Sequence, residues 1–201
     1  MAHDPGNAGL ARSITLVGMP GCGKSTVGRH LARHLGLRLV DSDHEIEKRI
    51  GMPIRSFFEA HGEAAFRDVE QQVIEDLCNA SHDIVLASGG GAVLRGANRE
   101  QLHRASHVFY LRSTPEELFR RLRHDTHRPL LQVADPLRRL RELYRERDPL
   151  YRQVAHYIIE TGRPSVPALV NMVLMQLELA GLVDPLRVPS PIDARPGGAS
   201  G

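Results

Sequence analysis

The stretch Ser13-Ile14-Thr15-Leu16-Val17-Gly18-Met19-Pro20-Gly21-Cys22-Gly23-Lys24-Ser25-Thr26, SITLVGMPGCGKST, decides the fold. An apolar, β-prone run enters a turn that fits GxxxxGK[ST] with Gly18, Gly23, Lys24 and Ser25, and an amphipathic segment from Lys24 to Leu35 follows. Strand, glycine-rich turn and helix in that order make a phosphate cradle. Glycines let consecutive backbone N–H groups face phosphate oxygens, and the helix N-terminus adds its positive dipole. Gly21, Cys22, Gly23, Lys24, Ser25 and Thr26 are therefore the expected nucleotide-binding residues, with Lys24 reaching the β- and γ-phosphates and the Ser25 hydroxyl offered to Mg²⁺.

Outward from this motif the chain alternates strands and helices. Further strands are expected at Arg38–Asp41, Ile84–Ala87, His107–Leu111 and His156–Glu160. Further helices are expected at Ser42–Ile50, Glu63–Asn79, Thr114–Arg123, Pro136–Arg147 and Pro164–Leu179. Short strands separated by helical crossovers give an α/β fold with a parallel sheet covered on both faces. The chain has 201 residues, 41% hydrophobic and 25% charged, which suits one globular domain. That domain is placed at 12–181; residues 1–11 and a Pro/Gly-rich tail at 182–201 are expected to lie outside the fold as disordered segments.

No apolar run approaches the roughly 18 residues of a membrane span, and the opening MAHDPGNAGLARS lacks signal-peptide features, so a cytoplasmic protein is expected. Cys22 and Cys78 form no CxxC pair and read as free thiols. Lys24 and Lys48 are the only lysines, and the net charge is +2. Arginines crowd between Arg120 and Arg152. They can form a solvated helical face with Glu142 and Glu146, a nucleic-acid contact, or a cluster around a small anion.

The second strand ends in VDSD, Val40 to Asp43. Period two sends Asp41 and Asp43 to the same side at a strand C-terminus, where open α/β sheets bind ligands. One carboxylate can hold Mg²⁺ through water while the other faces an acceptor hydroxyl. Asp43 alternatively serves as a helix N-cap. The end of the third strand, Leu86-Ala87-Ser88, carries no acid, so Asp41 is the best protein ligand for the metal.

GMPGCGKST, VDSD, FFEAHGEAAFRDVE, SGGGAV, HRPLL and RDPLYR occur in the order found in shikimate kinases, and the chain resembles that family over roughly residues 12 to 180. The resemblance implies a P-loop kinase related to nucleoside monophosphate kinases, in which MgATP phosphorylates the 3-hydroxyl of shikimate to give shikimate 3-phosphate and ADP, a step of chorismate and aromatic amino acid biosynthesis. It implies that Asp43 contacts the substrate hydroxyls and accepts the proton, and that Arg67 and Arg147 grip the carboxylate. Each arginine can instead be a surface ion-pair residue, with Asp68 or Asp148. Bare backbone at Gly89, Gly90 and Gly91 would make room for the ring. Phe58 and Phe66 either line the pocket or belong to the core. Glu70 either orients Arg67 or faces solvent. The segment RHDTHRPLL corresponds to a mobile lid, from which Arg128 would close over the phosphates as a catalytic group. Arg121, Arg163 and Pro164 resemble the residues that sandwich adenine.

The resulting expectation is a three-layer α/β/α kinase with a five-stranded parallel sheet of order 2-3-1-4-5. It would be monomeric or weakly associating, using ATP and Mg²⁺ and binding neither nucleic acid nor membrane. The alternatives are a kinase for another small metabolite such as gluconate, or a silent nucleotide- or nucleic-acid-binding module; the intact Lys24, Ser25, Asp41 and Asp43 speak against silence. His30 and His34 share an i,i+4 face without a nearby third ligand, so zinc binding is not expected there.

Overall fold

The computed structural model describes residues 13–80, 83–123 and 133–183. The strands are β1 Ser13–Val17, β2 Arg38–Asp41, β3 Ile84–Ala87, β4 Ser106–Arg112 and β5 Tyr157–Glu160. They form one parallel sheet of order β2-β3-β1-β4-β5. β1 and β3 are buried at every residue, because inner parallel strands carry helices on both faces; the edge strands β2 and β5 are largely open.

The helices are α1 Lys24–Leu35, α2 Ser42–Ile50, α3 Ile54–Ala80, α4 Gly96–Ala105, α5 Pro115–Leu122, α6 Pro136–Val154 and α7 Val166–Leu179. α1 packs on α7, whereas α4 packs on α3 and α6. With right-handed crossovers, the first pair covers one face and the second group the other. α1 buries Val27, Leu31, Ala32 and Leu35 as a single stripe. Helix starts follow local chemistry: Thr114 and Glu117 form a capping box at α5, and the Ser165 hydroxyl caps α7 by accepting from Ala168 N. Leu182 and Val183 pack against the main core after α7.

Three helical features depart from the sequence reading. α3 begins at Ile54 and bends at Gly62, whose φ of 80° suits glycine, so the FFEA segment is helical too. α4 was not anticipated, because GANREQLHRA offers little apolar periodicity; it is seated by buried Leu102 and Asn98. α6 continues past Arg147 to Val154 despite Pro149, since burial of Tyr151 and Val154 outweighs one missing backbone donor.

Candidate active site

Sheet order assembles the site. β2, β3 and β1 are neighbours, so the segments leaving their C-terminal ends, Asp41 to Asp43, Ser88 to Gly91 and Gly18 to Thr26, emerge side by side with the glycine loop in the middle. A cleft of about 430 Å³ opens there, lined by Gly21, Gly23, Lys24, Ser25 and Thr26 from the first segment, Asp41 and Asp43 from the second, and Ser88, Gly89 and Gly90 from the third, with Arg121 at its edge.

On the β1 side, Gly23 caps α1 with φ 102°, and Val27 N is the first helical donor, to Gly23 O at 2.9 Å. The preceding N–H groups at this helix start are left to face the cleft, which suits an anion. Cys22 differs from its neighbours: its N–H donates to Met19 O at 3.2 Å and its side chain is fully buried, so it shapes the loop from behind. Lys24 is 9% exposed, and its Nζ donates to Gly18 O at 2.8 Å and Met19 O at 3.0 Å, which holds the ammonium over the loop.

On the β2 side, Asp41 is the N-cap of α2. Its Oδ1 accepts from Asp43 N at 3.0 Å and His44 N at 3.3 Å, while its Oδ2 accepts from Ser25 Oγ at 3.1 Å. The capping role thus falls to Asp41, and the Asp43 side chain is left for the cleft. Asp43 is exposed at the cleft mouth, while its carboxylate is set against the Gly89 backbone. Burial, followed by the negative charges of Asp41 and Glu70, pushes its carboxyl up to about 6 against an opposing pull from Lys24, with Glu47 adding the smallest push. Asp43 is therefore a stronger base than an ordinary carboxylate.

Each glycine of the β3 loop faces a different functional neighbour. A β-carbon on Gly89 would collide with Asp43 Oδ1; one on Gly90 would lie 2.8 Å from Pro20 Cδ; one on Gly91 would lie 2.5 Å from Arg67 Nη1. The bare backbone thus admits the Asp43 carboxylate, the phosphate loop and the Arg67 guanidinium to close contact, a role more specific than leaving space for a ring. The loop itself is pinned by side chains: Ser42 Oγ accepts from Gly89 N at 2.8 Å, Tyr151 Oη donates to Gly90 O at 2.6 Å, Asn98 Nδ2 donates to Ala92 O at 2.9 Å, and Arg99 Nη1 donates to Val93 O at 2.7 Å. None of these four was singled out from sequence. Ser42 and Tyr151 sit within the quoted motifs VDSD and RDPLYR, and that proximity was the available signal.

Arg67 lies on α3 with its side chain 12% exposed. Nη1 donates to Glu70 Oε2 at 2.7 Å, Nη2 donates to Glu63 Oε1 at 3.2 Å, and the guanidinium lies 5.1 Å from the Phe66 ring centroid. Its partners are Glu63 and Glu70, while Asp68 pairs with Arg95. Glu70 is buried, at 1% exposure, so it orients Arg67. Arg147, on α6, acts electrostatically on both Glu70 and Tyr151, and its Nε is buried without a hydrogen-bond partner among the described residues. Asp148 is engaged by Tyr110, Arg112 and Arg152. Phe66 joins Ile46 and Val73 in a small core between α2 and α3, and Phe58 packs on it at 4.4 Å. Neither is among the cleft-lining residues, and neither are Arg67, Gly91 and Arg147, which stand beyond the Gly89–Gly90 end of the cleft.

Arg121 bridges the phosphate loop and the β5 end, donating to Cys22 O and Thr161 O, each at 3.2 Å. Arg163 and Pro164 lie in the following turn toward α7 and are not among the cleft-lining residues. Arg128 and the expected lid lie outside the described residues. Among those described, no group of three or more His, Cys, Asp or Glu side chains is arranged to hold a metal, His30 and His34 included.

The family model for shikimate kinase matches residues 20–178. The chain is 59% identical over 181 residues to a shikimate kinase of Paracidovorax citrulli, covering 89% of this chain and 97% of that protein. It is 55% identical over 179 residues to one of Ralstonia nicotianae, covering 89% and 94%. The solved shikimate kinase of Acinetobacter baumannii in complex with shikimate aligns with a TM-score of 0.78 at 46% identity, covering 86% of this chain and 96% of that one. Matches of this extent take in the phosphate loop, the paired aspartates, the glycine loop and both arginines together, and the chain belongs to the shikimate kinase family.

Proposed function

We propose that this protein transfers the γ-phosphoryl group of ATP to the 3-hydroxyl of shikimate, with the phosphate loop, Asp43 and the Arg67–Arg147 pair each holding one part of the reacting assembly. The observation that carries this reading is the placement of Asp43, Pro20 and Arg67 against three consecutive glycines. A hydroxyl beside Asp43 and a carboxylate beside Arg67 are then spanned by one compact ring next to these side chains, with the phosphates at the adjoining loop.

The backbone N–H groups from Gly23 to Thr26 and Lys24 bind and neutralise the phosphates. Arg67, held by Glu70 and Glu63, offers a planar fork to the acid, and Arg147 adds the second positive charge. Asp43 orients the attacking hydroxyl and accepts its proton as the new O–P bond forms and the bond to the ADP oxygen breaks. Because phosphoryl transfer is largely dissociative, positioning and charge neutralisation contribute more than early proton removal. Arg121, with Arg163 and Pro164 beyond it, is assigned to the adenine side, and Arg128 to closure over the phosphates.

Ser25 and Asp41 fit Mg²⁺: two hard oxygen donors stand 3.1 Å apart at the mouth of the phosphate loop, and this ion takes few protein ligands alongside phosphate oxygens and water. When bound, it supplies charge neutralisation at the β- and γ-phosphates.

The arginines of α6 favour this reading over a nucleic-acid surface, since Arg138, Arg141 and Arg152 are engaged by Glu142, Glu116 and Asp148. The proposal takes the protein as a monomer, and as cytoplasmic because Cys22 and Cys78 are free thiols. Among the described residues, no helix is long and apolar enough to cross a membrane.

The test is ADP release from MgATP with shikimate, gluconate or AMP as acceptor. Release that depends on shikimate alone is expected. A rate unchanged by shikimate, or stimulated equally by gluconate, would refute the assignment.

A further inference from the structure

We propose that Tyr151 is a positioning residue for the acceptor half of this site, its hydroxyl fixing the middle glycine of the substrate loop from the same helix that carries Arg147. The inference rests on the shikimate kinase reading above and assigns a role to a residue which that mechanism does not use.

Tyr151 is fully buried on α6, and its hydroxyl donates to Gly90 O at 2.6 Å. Gly90 is confined on its other side by Pro20, 2.8 Å from a β-carbon built on it, so the middle of the loop is held between the phosphate loop and α6. The tyrosine ring has a fixed seat. It packs on Tyr110 with centroids 4.9 Å apart, and Tyr110 in turn donates to Asp148 Oδ1 at 2.8 Å, locking the neighbouring turn of α6 to β4. A short hydrogen bond from a rigid donor fixes the Gly90 carbonyl, and with it the peptide plane leading to Gly91.

Arg147 stands one helical turn before Tyr151 on α6, at i and i+4, and its positive charge acts on the phenol. The continuation of α6 through Pro149 makes this possible: had the helix stopped at Arg147, Tyr151 would not share its face. One phenol therefore ties the loop at Gly90 to the helix that carries Arg147, the arginine assigned to the acid.

Tyr151→Phe retains the ring and its contact with Tyr110 and removes only the hydroxyl. In steady-state kinetics the variant is expected to fold, to raise the shikimate KM by about five- to tenfold, the worth of one hydrogen bond, and to leave the ATP KM within about twofold. A shikimate KM equal to wild type would overturn the proposal. So would equal changes in both KM values, or a variant that fails to fold, since either would make the hydroxyl a general scaffold group. An inactive wild type would bring down both this inference and the proposed function. An active wild type beside an unchanged variant would bring down this inference alone.

Discussion

Gly91 faces the Arg67 guanidinium so closely that a β-carbon on the glycine would lie 2.5 Å from Nη1 and 2.6 Å from Nη2. Arg67 is held from behind by Glu63 and Glu70, so it has little freedom to withdraw. Gly91→Ala should therefore displace the guanidinium from the acceptor side and lower kcat/KM for shikimate by at least about tenfold, with little change in the ATP KM. Steady-state kinetics with each substrate varied in turn would check this.

Glu70 is 1% exposed beside Arg67. Burial raises its carboxyl above the ordinary range, and the Arg67 charge and hydrogen bond oppose that rise. Glu70→Ala leaves Arg67 with only the exposed Glu63 as a charged partner among the described residues and should cost about 3 kcal/mol of stability, together with a higher shikimate KM. Glu70→Gln, which keeps an acceptor, should cost less. Urea unfolding of the three proteins reads the stabilities, and equal midpoints would contradict the orienting role.

Asp43 gives a signed pH dependence. Its carboxyl is pushed up to about 6 from 3.8, first by burial and then by neighbouring carboxylates. Between those values the folded state holds more protons than the unfolded state, so this residue's contribution to stability falls as pH rises across that window. Asp43→Asn should accordingly be more stable than wild type above about pH 6, with the advantage disappearing below about pH 4. Activity runs the other way: in the proposed reaction the ionised form accepts the proton, so kcat/KM for shikimate should rise with pH through about 6 and lose that limb in the variant. Thermal unfolding and rate profiles across this range test both signs.

Lys24 donates to two loop carbonyls and brings a positive charge to the phosphate site. Lys24→Ala should reduce turnover by at least about a hundredfold, because charge stabilisation of the transferring group is lost. Near-normal turnover would remove the phosphate loop from the account.

The sheet and the helices with a clear apolar stripe were legible in the sequence, since β3 reads as an unbroken apolar run, β1 as a β-prone run built on Ile14, Leu16 and Val17, and α1 as a regular stripe. The phosphate loop was legible because its chemistry leaves few residue choices. α4 was not, because its seat depends on Asn98 reaching Ala92 O and Leu102 entering the core, contacts that no local period announces. The extent of α6 was hidden by Pro149, a local stop signal overridden by tertiary burial of Tyr151 and Val154. Within the site, residue types were readable and partners were not. Arg67 and Arg147 have acidic neighbours in sequence, yet Asp68 and Asp148 turn to Arg95 and to Tyr110, Arg112 and Arg152, and i,i+3 geometry brings Glu70 to Arg67. The meaning of three consecutive glycines was half visible: close approach was expected, but that Asp43, Pro20 and Arg67 do the approaching appears only in three dimensions.

A structure of the protein with shikimate and ADP tests the central arrangement most directly. The account predicts the acid's carboxylate between Arg67 and Arg147, its ring along Gly89 to Gly91, and its 3-hydroxyl within hydrogen-bond reach of Asp43 and turned toward the phosphate loop. A carboxylate bound away from both arginines, or a 3-hydroxyl pointing away from Asp43, would contradict it.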